Sequence, residues 1–286
     1  MRLATLNKRA HLITEAGGID IARASDGRFQ PNLKALLARL EDLRTWVAGT
    51  ELEFDPSLSA ARLLEDLTPL DAPIADPDQI FAIGLNYRAH SAETGLEVPD
   101  EPMIFTKFPS AIGKPSAEVA LPTPTCDWEV ELVAVIGRGG RDIPESDALT
   151  CVAGYCVGQD VSERTLQFAH TPAQFSFAKS FPNFAPMGPW ITTPDEVDIG
   201  RLNIGCRYQA GTLQSGNTKQ MIFGVAKLVS YISRVCELRT GDLIFTGTPD
   251  GVGMGYSPPR YIQPGWVISS EIERLGRLSN RFEVAS

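Results

Sequence analysis

Residues 128–137 read WEVELVAVIG. Alternation along a strand places Glu129 and Glu131 on one face and Val130, Leu132, Ala134 and Ile136 on the other. A run this rich in valine and other apolar residues, closed by Gly137, is a strand whose sheet forms the scaffold of the fold. Two carboxylates pointing the same way from such a strand raise each other's pKa in a buried setting unless a cation lies between them. An isolated Glu-x-Glu is more often the solvated face of a half-exposed strand, so the pair becomes a site only through its context.

Outward from this stretch, strand-like runs alternate with Gly/Pro turns: IFAIGL, CVAGYCVGQD, LNIGCRY, DLIFTGTP and WVISSEIERLG. Helical patterns are fewer, chiefly SERTLQFA and MIFGVAKLVSYISRV. This balance predicts a β-rich α/β domain of mixed sheets rather than a regular βαβ array. Residues 2–30 hold short alternating runs broken at Gly17-Gly18 and Asp26-Gly27, a small antiparallel sheet. In residues 32–49, Leu33, Leu36, Leu37, Leu40, Leu43 and Val47 recur at helical spacing, with Asn32 as cap and Gly49 as stop. Residues 67–79, with Pro69, Pro73 and Pro77 among three aspartates, are extended. A boundary near residue 75 therefore separates a small N-terminal α+β domain, 1–75, from a larger β-rich domain, 76–286.

The chain has 286 residues, 43% hydrophobic and 21% charged, enough to bury a large core. A net charge of -9 argues against nucleic acid, whose phosphates call for a basic patch. No apolar run approaches the roughly 20 residues that span a bilayer, and the first residues lack the pattern of a signal peptide, so the expectation is a cytoplasmic protein with no membrane contact. The five cysteines are scattered, with neither a C-x-x-C pair nor a nearby histidine at zinc spacing, and read as reduced core thiols.

Asp160 closes the apolar run VAGYCVGQ and precedes Ser162, a candidate helix cap. Alone it reads as a turn residue. Together with Glu129 and Glu131 it offers an all-oxygen ligand set, which suits Mg²⁺ or Mn²⁺ better than zinc, with Ca²⁺ as a third candidate. The glycine-rich TGTPDGVG, 246–253, lacks the G-K-[ST] ending and the G-x-G-x-x-G spacing of nucleotide loops, which argues against a nucleotide site.

Seven blocks in order, GLNYRAHSAE, PMIFTKFPSAI, CDWEVELVAVIG, AGYCVGQDVSERTLQ, AKSFPNFAPMGPWI, QSGNTKQMIF and GDLIFTGTPDGVG, resemble the fumarylacetoacetate hydrolase family over roughly residues 80–280. The resemblance implies a β-roll or barrel-like catalytic core of mixed sheets behind a small N-terminal domain, usually as a homodimer, with the metal on Glu129, Glu131 and Asp160. It also implies a lid dyad, matched by His90 and Glu93. On a helix, i and i+3 share a face, so Glu93 can orient His90 as a general base. The bland alternative is a surface salt bridge, with His170 as another candidate base. Lys179 matches the lysine that would stabilise an oxyanion, Arg164 and Gln167 match substrate contacts, and Gly247 with Thr248 matches a turn that receives a substrate carboxylate. Without the resemblance, Arg164 could merely pair with Asp160 four residues away.

The sequence departs from the family pattern at Pro182, where Asp is common, at Ala210, where Asn is usual, and at Trp266, where an acid is common. Phe175, Phe177 and Phe181 are expected to wall the pocket. The resemblance implies a hydrolase that cleaves a carbon-carbon bond in an acylpyruvate or related diketo acid through an enolate held by metal and Lys179. The same site can also serve 2-oxo acid decarboxylation of the oxaloacetate type or isomerisation and hydration of a hydroxy-dienoic acid. A non-catalytic carboxylate-binding relative is the alternative from outside enzymology.

Overall fold

The strand Val130–Ile136 is buried along its whole length and sits inside a sheet with neighbours on both sides. In this computed structural model, which describes residues 1–95 and 97–285, both faces of that strand are covered, unlike the half-exposed strand that a lone acidic alternation suggests. Its neighbours are Val152–Gln159 and Leu243–Phe245, both antiparallel. Complete removal of side chains such as Leu132 and Ile136 from water contributes about 2 kcal/mol each.

The large sheet has eleven strands. Its spine runs Gly18–Asp20, Arg9–Ile13, Arg2–Leu6, Ala185–Thr192, Val152–Gln159, Val130–Ile136, Leu243–Phe245, Ile80–Gly84 and Met103–Thr106. Pairing is antiparallel except between Leu243–Phe245 and Ile80–Gly84 and between Ala185–Thr192 and the short Ile112–Gly113. A second sheet of five strands orders Gly211–Asn217, Asn203–Tyr208, Val267–Ile272, Gly276–Val284 and Glu118–Leu121. Strands from both sheets contribute to one core, in which Val157 and Met187 belong with Ile268, Leu278 and Phe282. The mixed, β-rich architecture is as expected, but both sheet orders are open at each end, so the barrel-like closure is not found among the described residues.

The N-terminal antiparallel sheet is present, with its first turn at Asn7 and Lys8, both at positive φ. It joins the main sheet through Leu3 opposite Ile191. The extended 67–79 segment adds Leu70–Asp71 to Arg2–Leu6, and the boundary expected near residue 75 falls between that short strand and Ile80–Gly84. The helix expected over 32–49 starts at an Asn32 cap and stops at Gly49 but is broken in two, Leu33–Leu37 and Leu40–Gly49. Arg39 leaves helical geometry at the break, its guanidinium bonding the Arg28 carbonyl and Asp42. The second helix consequently buries Leu43 and Trp46, the latter against Phe29, and leaves Val47 partly exposed. No helix among the described residues is long and apolar enough to cross a membrane.

Candidate active site and metal centre

Glu129 stands just before the Val130–Ile136 strand and Asp160 just after Val152–Gln159. Because these strands pair with Val130 opposite Gln159, their ends bring the two acids together, and the Asp160 amide donates to the Glu129 carbonyl at 2.9 Å. Gln159 fixes the junction by accepting from the Glu129 amide at 2.8 Å. Glu131, two residues on, points to the same side. One carboxylate oxygen from each of Glu129, Glu131 and Asp160 lies within 4.8 Å of the others, and all three residues are buried.

Buried cations surround this cluster. Lys179 Nζ donates to Glu129 Oε2 at 2.8 Å and to Asp160 Oδ2 at 2.7 Å. Lys107 Nζ, fully buried, donates to Asp160 Oδ1 and to the Lys179 carbonyl. Arg164 Nη2 donates to Glu129 Oε1 at 2.7 Å. Burial opposes ionisation of Glu129, but Lys179 and Arg164 outweigh it and hold its carboxyl down at about 2. Glu131 is treated differently: burial, then the charges of Asp160 and Glu129, push it well above the usual carboxylate range. Three convergent buried carboxylate oxygens, one of them carrying this electrostatic load, fit a hard divalent cation. The buried Tyr87 hydroxyl feels the charge of Glu131 and has no hydrogen-bond partner among the described residues.

The other wall comes from the helix Arg88–Thr94. His90 Nδ1 meets Glu93 Oε1 at 2.8 Å, which realises the predicted one-face pair. Glu93 also accepts from the amide of Gly251 at 2.9 Å and, more weakly, from that of Val252. His90, Phe105, Glu129, Arg164, Lys179 and Thr248 line one cleft, together with Gln167 and Phe175. The exposed His170 is not among its lining residues.

The glycine-rich loop does bind anions, but they belong to its own chain. Gly247 donates to Glu131 at 2.8 Å, Gly251 and Val252 to Glu93, and Gly253 and Met254 to Asp127 at 2.7 and 3.0 Å. Two of its glycines are obligatory: Gly247 has φ +95, and a Cβ on Gly253 would lie 2.6 Å from Asp127 Oδ1.

Several individual expectations need restating. Arg164 pairs with Asp127 and Glu129 rather than Asp160, and Gln167 accepts from its Nη1 at 2.8 Å. Ser162 is not the cap of the following helical turn, Arg164–Gln167, because its hydroxyl donates to the Asp160 carbonyl. Glu163 takes the capping position, accepting from the amides of Thr165 and Leu166. The Thr248 hydroxyl donates to the Val130 carbonyl and accepts from Gln214, so in this state Gly247 and Thr248 both brace the glutamate strand. Of the expected phenylalanine walls only Phe175 lines the cleft; Phe177 is 65% exposed and Phe181 packs on Phe184. Pro182 and Ala210 lie in exposed turns, whereas Trp266 stacks on Tyr208 with ring centroids 4.1 Å apart.

Lys107 and Asp127 were not singled out by sequence reasoning, although both lie inside the quoted blocks, in TKFPSAI and CDWEVE. The same holds for Asn86, whose buried amide ties the segment before the helix Arg88–Thr94 to Phe223 and Thr246.

A sequence model described as fumarylacetoacetate (FAA) hydrolase C-terminal matches residues 79–283. The chain belongs to the fumarylacetoacetate hydrolase family. Within this family, the human mitochondrial oxaloacetate tautomerase FAHD2A is 42% identical over 213 residues, covering 73% of this chain and 68% of the relative. A solved Mycobacterium smegmatis structure superposes over the full length of both chains with TM-score 0.92 at 43% identity. The fumarylpyruvate hydrolase of Pseudomonas aeruginosa, solved with Mn²⁺ and pyruvate, is 35% identical, with TM-score 0.66 over 73% of this chain and 91% of that one. These fumarylacetoacetate hydrolase family relatives include a tautomerase and a hydrolase, and they support an enzyme.

Proposed function

We propose that this chain is a Mg²⁺- or Mn²⁺-dependent enzyme that interconverts the keto and enol forms of a short 2-oxo dicarboxylic acid of the oxaloacetate type. One observation carries this reading: His90, held by Glu93, lines the same cleft as Glu129 and Lys179 of the carboxylate–lysine cluster. The cavity between them measures about 30 Å³. An entering acid must displace side chains or the lid, and a short acid displaces least.

A divalent cation on Glu129, Glu131 and Asp160 would supply a Lewis acid and a template for adjacent substrate oxygens. Glu93 holds His90 through Nδ1, so proton exchange runs through Nε2. His90 takes the proton from the carbon beside the ketone and returns it to the oxygen, directly or by exchange with solvent, so the acid changes tautomer and the imidazole ends as it began. Arg164 and Lys179 supply the positive charge that favours the anionic intermediate. Phe105 and Phe175 make the cleft apolar where it is not charged.

A second reading, hydrolytic cleavage of an acylpyruvate, draws on the same dyad, which can equally activate water, and on the likeness to the fumarylpyruvate hydrolase. A homodimer is part of either reading. The deciding experiment follows the ultraviolet absorbance of oxaloacetate and of an acylpyruvate panel with metal-stripped protein, before and after Mg²⁺ or Mn²⁺. Metal-dependent change of the oxaloacetate enol signal without pyruvate formation is the expected result. Loss of the acylpyruvate diketone band with pyruvate released replaces the tautomerase by the hydrolase. Pyruvate from oxaloacetate would indicate a decarboxylase, and no change with any acid would overturn both readings in favour of a carboxylate-binding protein.

A further inference from the structure

Asp127 is fully buried and immediately precedes the glutamate strand, yet it is not one of the three convergent carboxylates. Its oxygens are taken by four donors. Oδ1 accepts from the amides of Gly253 at 2.7 Å and Trp128 at 2.8 Å; Oδ2 accepts from Met254 N at 3.0 Å and from Arg164 Nε at 2.9 Å. Arg164 reaches on to Glu129, one of the candidate metal ligands. The amides preceding those of Gly253 and Met254, from Gly251 and Val252, hold Glu93, which holds His90. A second clamp acts on the same loop, because Trp128 Nε1 donates to the Gly251 carbonyl at 2.9 Å.

Four successive amides, 251–254, are thus shared by two carboxylates on opposite sides of the site. The loop sequence GVGMG fits this use: a Cβ on Gly253 would run into the Arg260 carbonyl oxygen and lie 2.6 Å from Asp127 Oδ1, and one on Gly255 would lie 2.8 Å from Glu93 Oε2. Glycine lets both carboxylates close on the backbone.

We infer that Asp127 is a positioning residue that sets the His90–Glu93 dyad in register with Glu129, acting through the 251–254 loop on one side and through Arg164 on the other. Its role in turnover rests on the function proposed above, but the mechanical link does not.

The test is hydrogen–deuterium exchange on the full chain, comparing wild type with Asp127→Asn. Asparagine keeps the shape and one acceptor but sets an NH₂ group against the Met254 amide and Arg164. Exchange is expected to quicken on the order of tenfold, the effect of losing a hydrogen bond to a charged group, both in the 251–254 loop and in the helix Arg88–Thr94. The strand Val130–Ile136 keeps its protection as the internal control. Faster exchange in the loop with an unchanged helix would overturn the inference, leaving Asp127 as a loop anchor only. Glu93→Gln probes the link from the other end and stands in if Asp127→Asn does not fold: it is expected to quicken exchange at Gly253 and Met254, and unaltered protection there would equally overturn the link. If the wild type turns over oxaloacetate, Asp127→Asn lowers kcat on the order of tenfold with KM little changed; a change in KM alone would contradict the positioning role. A wild type without turnover would remove the proposed reaction and leave the exchange result to decide the link.

Discussion

His90 is the residue on which the proposed chemistry depends most directly. His90→Ala is expected to lower turnover by about 10²–10⁴-fold, the usual worth of a positioned acid–base group, while calorimetric Mg²⁺ affinity stays within a few-fold. A variant of full activity would remove the dyad from the scheme. Lys107 makes the opposite kind of claim, about stability. It is fully buried and bonds Asp160 directly. Burial pushes the Lys107 amine down from its ordinary range, so Lys107→Met is read as the loss of a buried hydrogen-bond donor to that carboxylate and is expected to cost about 1–3 kcal/mol in urea denaturation. That Glu129 and Glu131, and His90 and Glu93, share a face was legible because each pair lies two or three residues apart in sequence, whereas Asp160 joined them only through the resemblance to the family. Lys107 and Asp127 were not, because their meaning comes from partners 53 and 126 residues distant, and an isolated lysine or aspartate carries no local pattern.

Among the elements, short helices set the site and long ones do not. The turn Arg164–Gln167 has only four residues, so its geometry depends on its cap. Burial opposes ionisation of Glu163, but hydrogen bonds from the Thr125 and Thr123 hydroxyls and the Leu166 and Thr165 amides outweigh it and hold the carboxyl below its usual range. A depressed folded pKa means that this contribution is fully present above the unfolded pKa of the group and is lost as pH falls through the folded one. Glu163→Ala is therefore expected to cost about 1 kcal/mol at neutral pH, with the difference from wild type shrinking in acid; urea midpoints across a pH series measure it. Element types were largely readable from periodicity, including both ends of the 32–49 helical region. Its interruption at Arg39 was not, since the hydrogen bond to the Arg28 carbonyl that accompanies it leaves no trace in the apolar spacing.

For the molecule as a whole, the cluster of Glu129, Glu131 and Asp160 predicts that folding and metal binding are coupled. At a hundredfold excess of free cation over its Kd, binding adds about 2.7 kcal/mol to stability. The thermal midpoint should rise with Mg²⁺ or Mn²⁺ and fall back with a chelator, and a Glu129→Gln, Glu131→Gln double variant should show no rise. β-rich character and the mixed strand directions were legible from the runs themselves. The strand order was not, because it is set by pairings between distant segments, and Arg2 opposite Thr192 is the extreme case. That pairing also bears on how the molecule is made. Arg2–Leu6 leaves the ribosome long before Ala185–Thr192, and at roughly 5–20 residues per second the wait is on the order of ten seconds or more. During that interval Arg9–Ile13 can cover one edge of the early strand and Leu70–Asp71 the Thr5–Leu6 end of the other, while the Arg2–Leu3 end stays open until the late arrival closes it, a period in which nascent-chain chaperones have a target and neighbouring chains on a polysome have a chance to mispair.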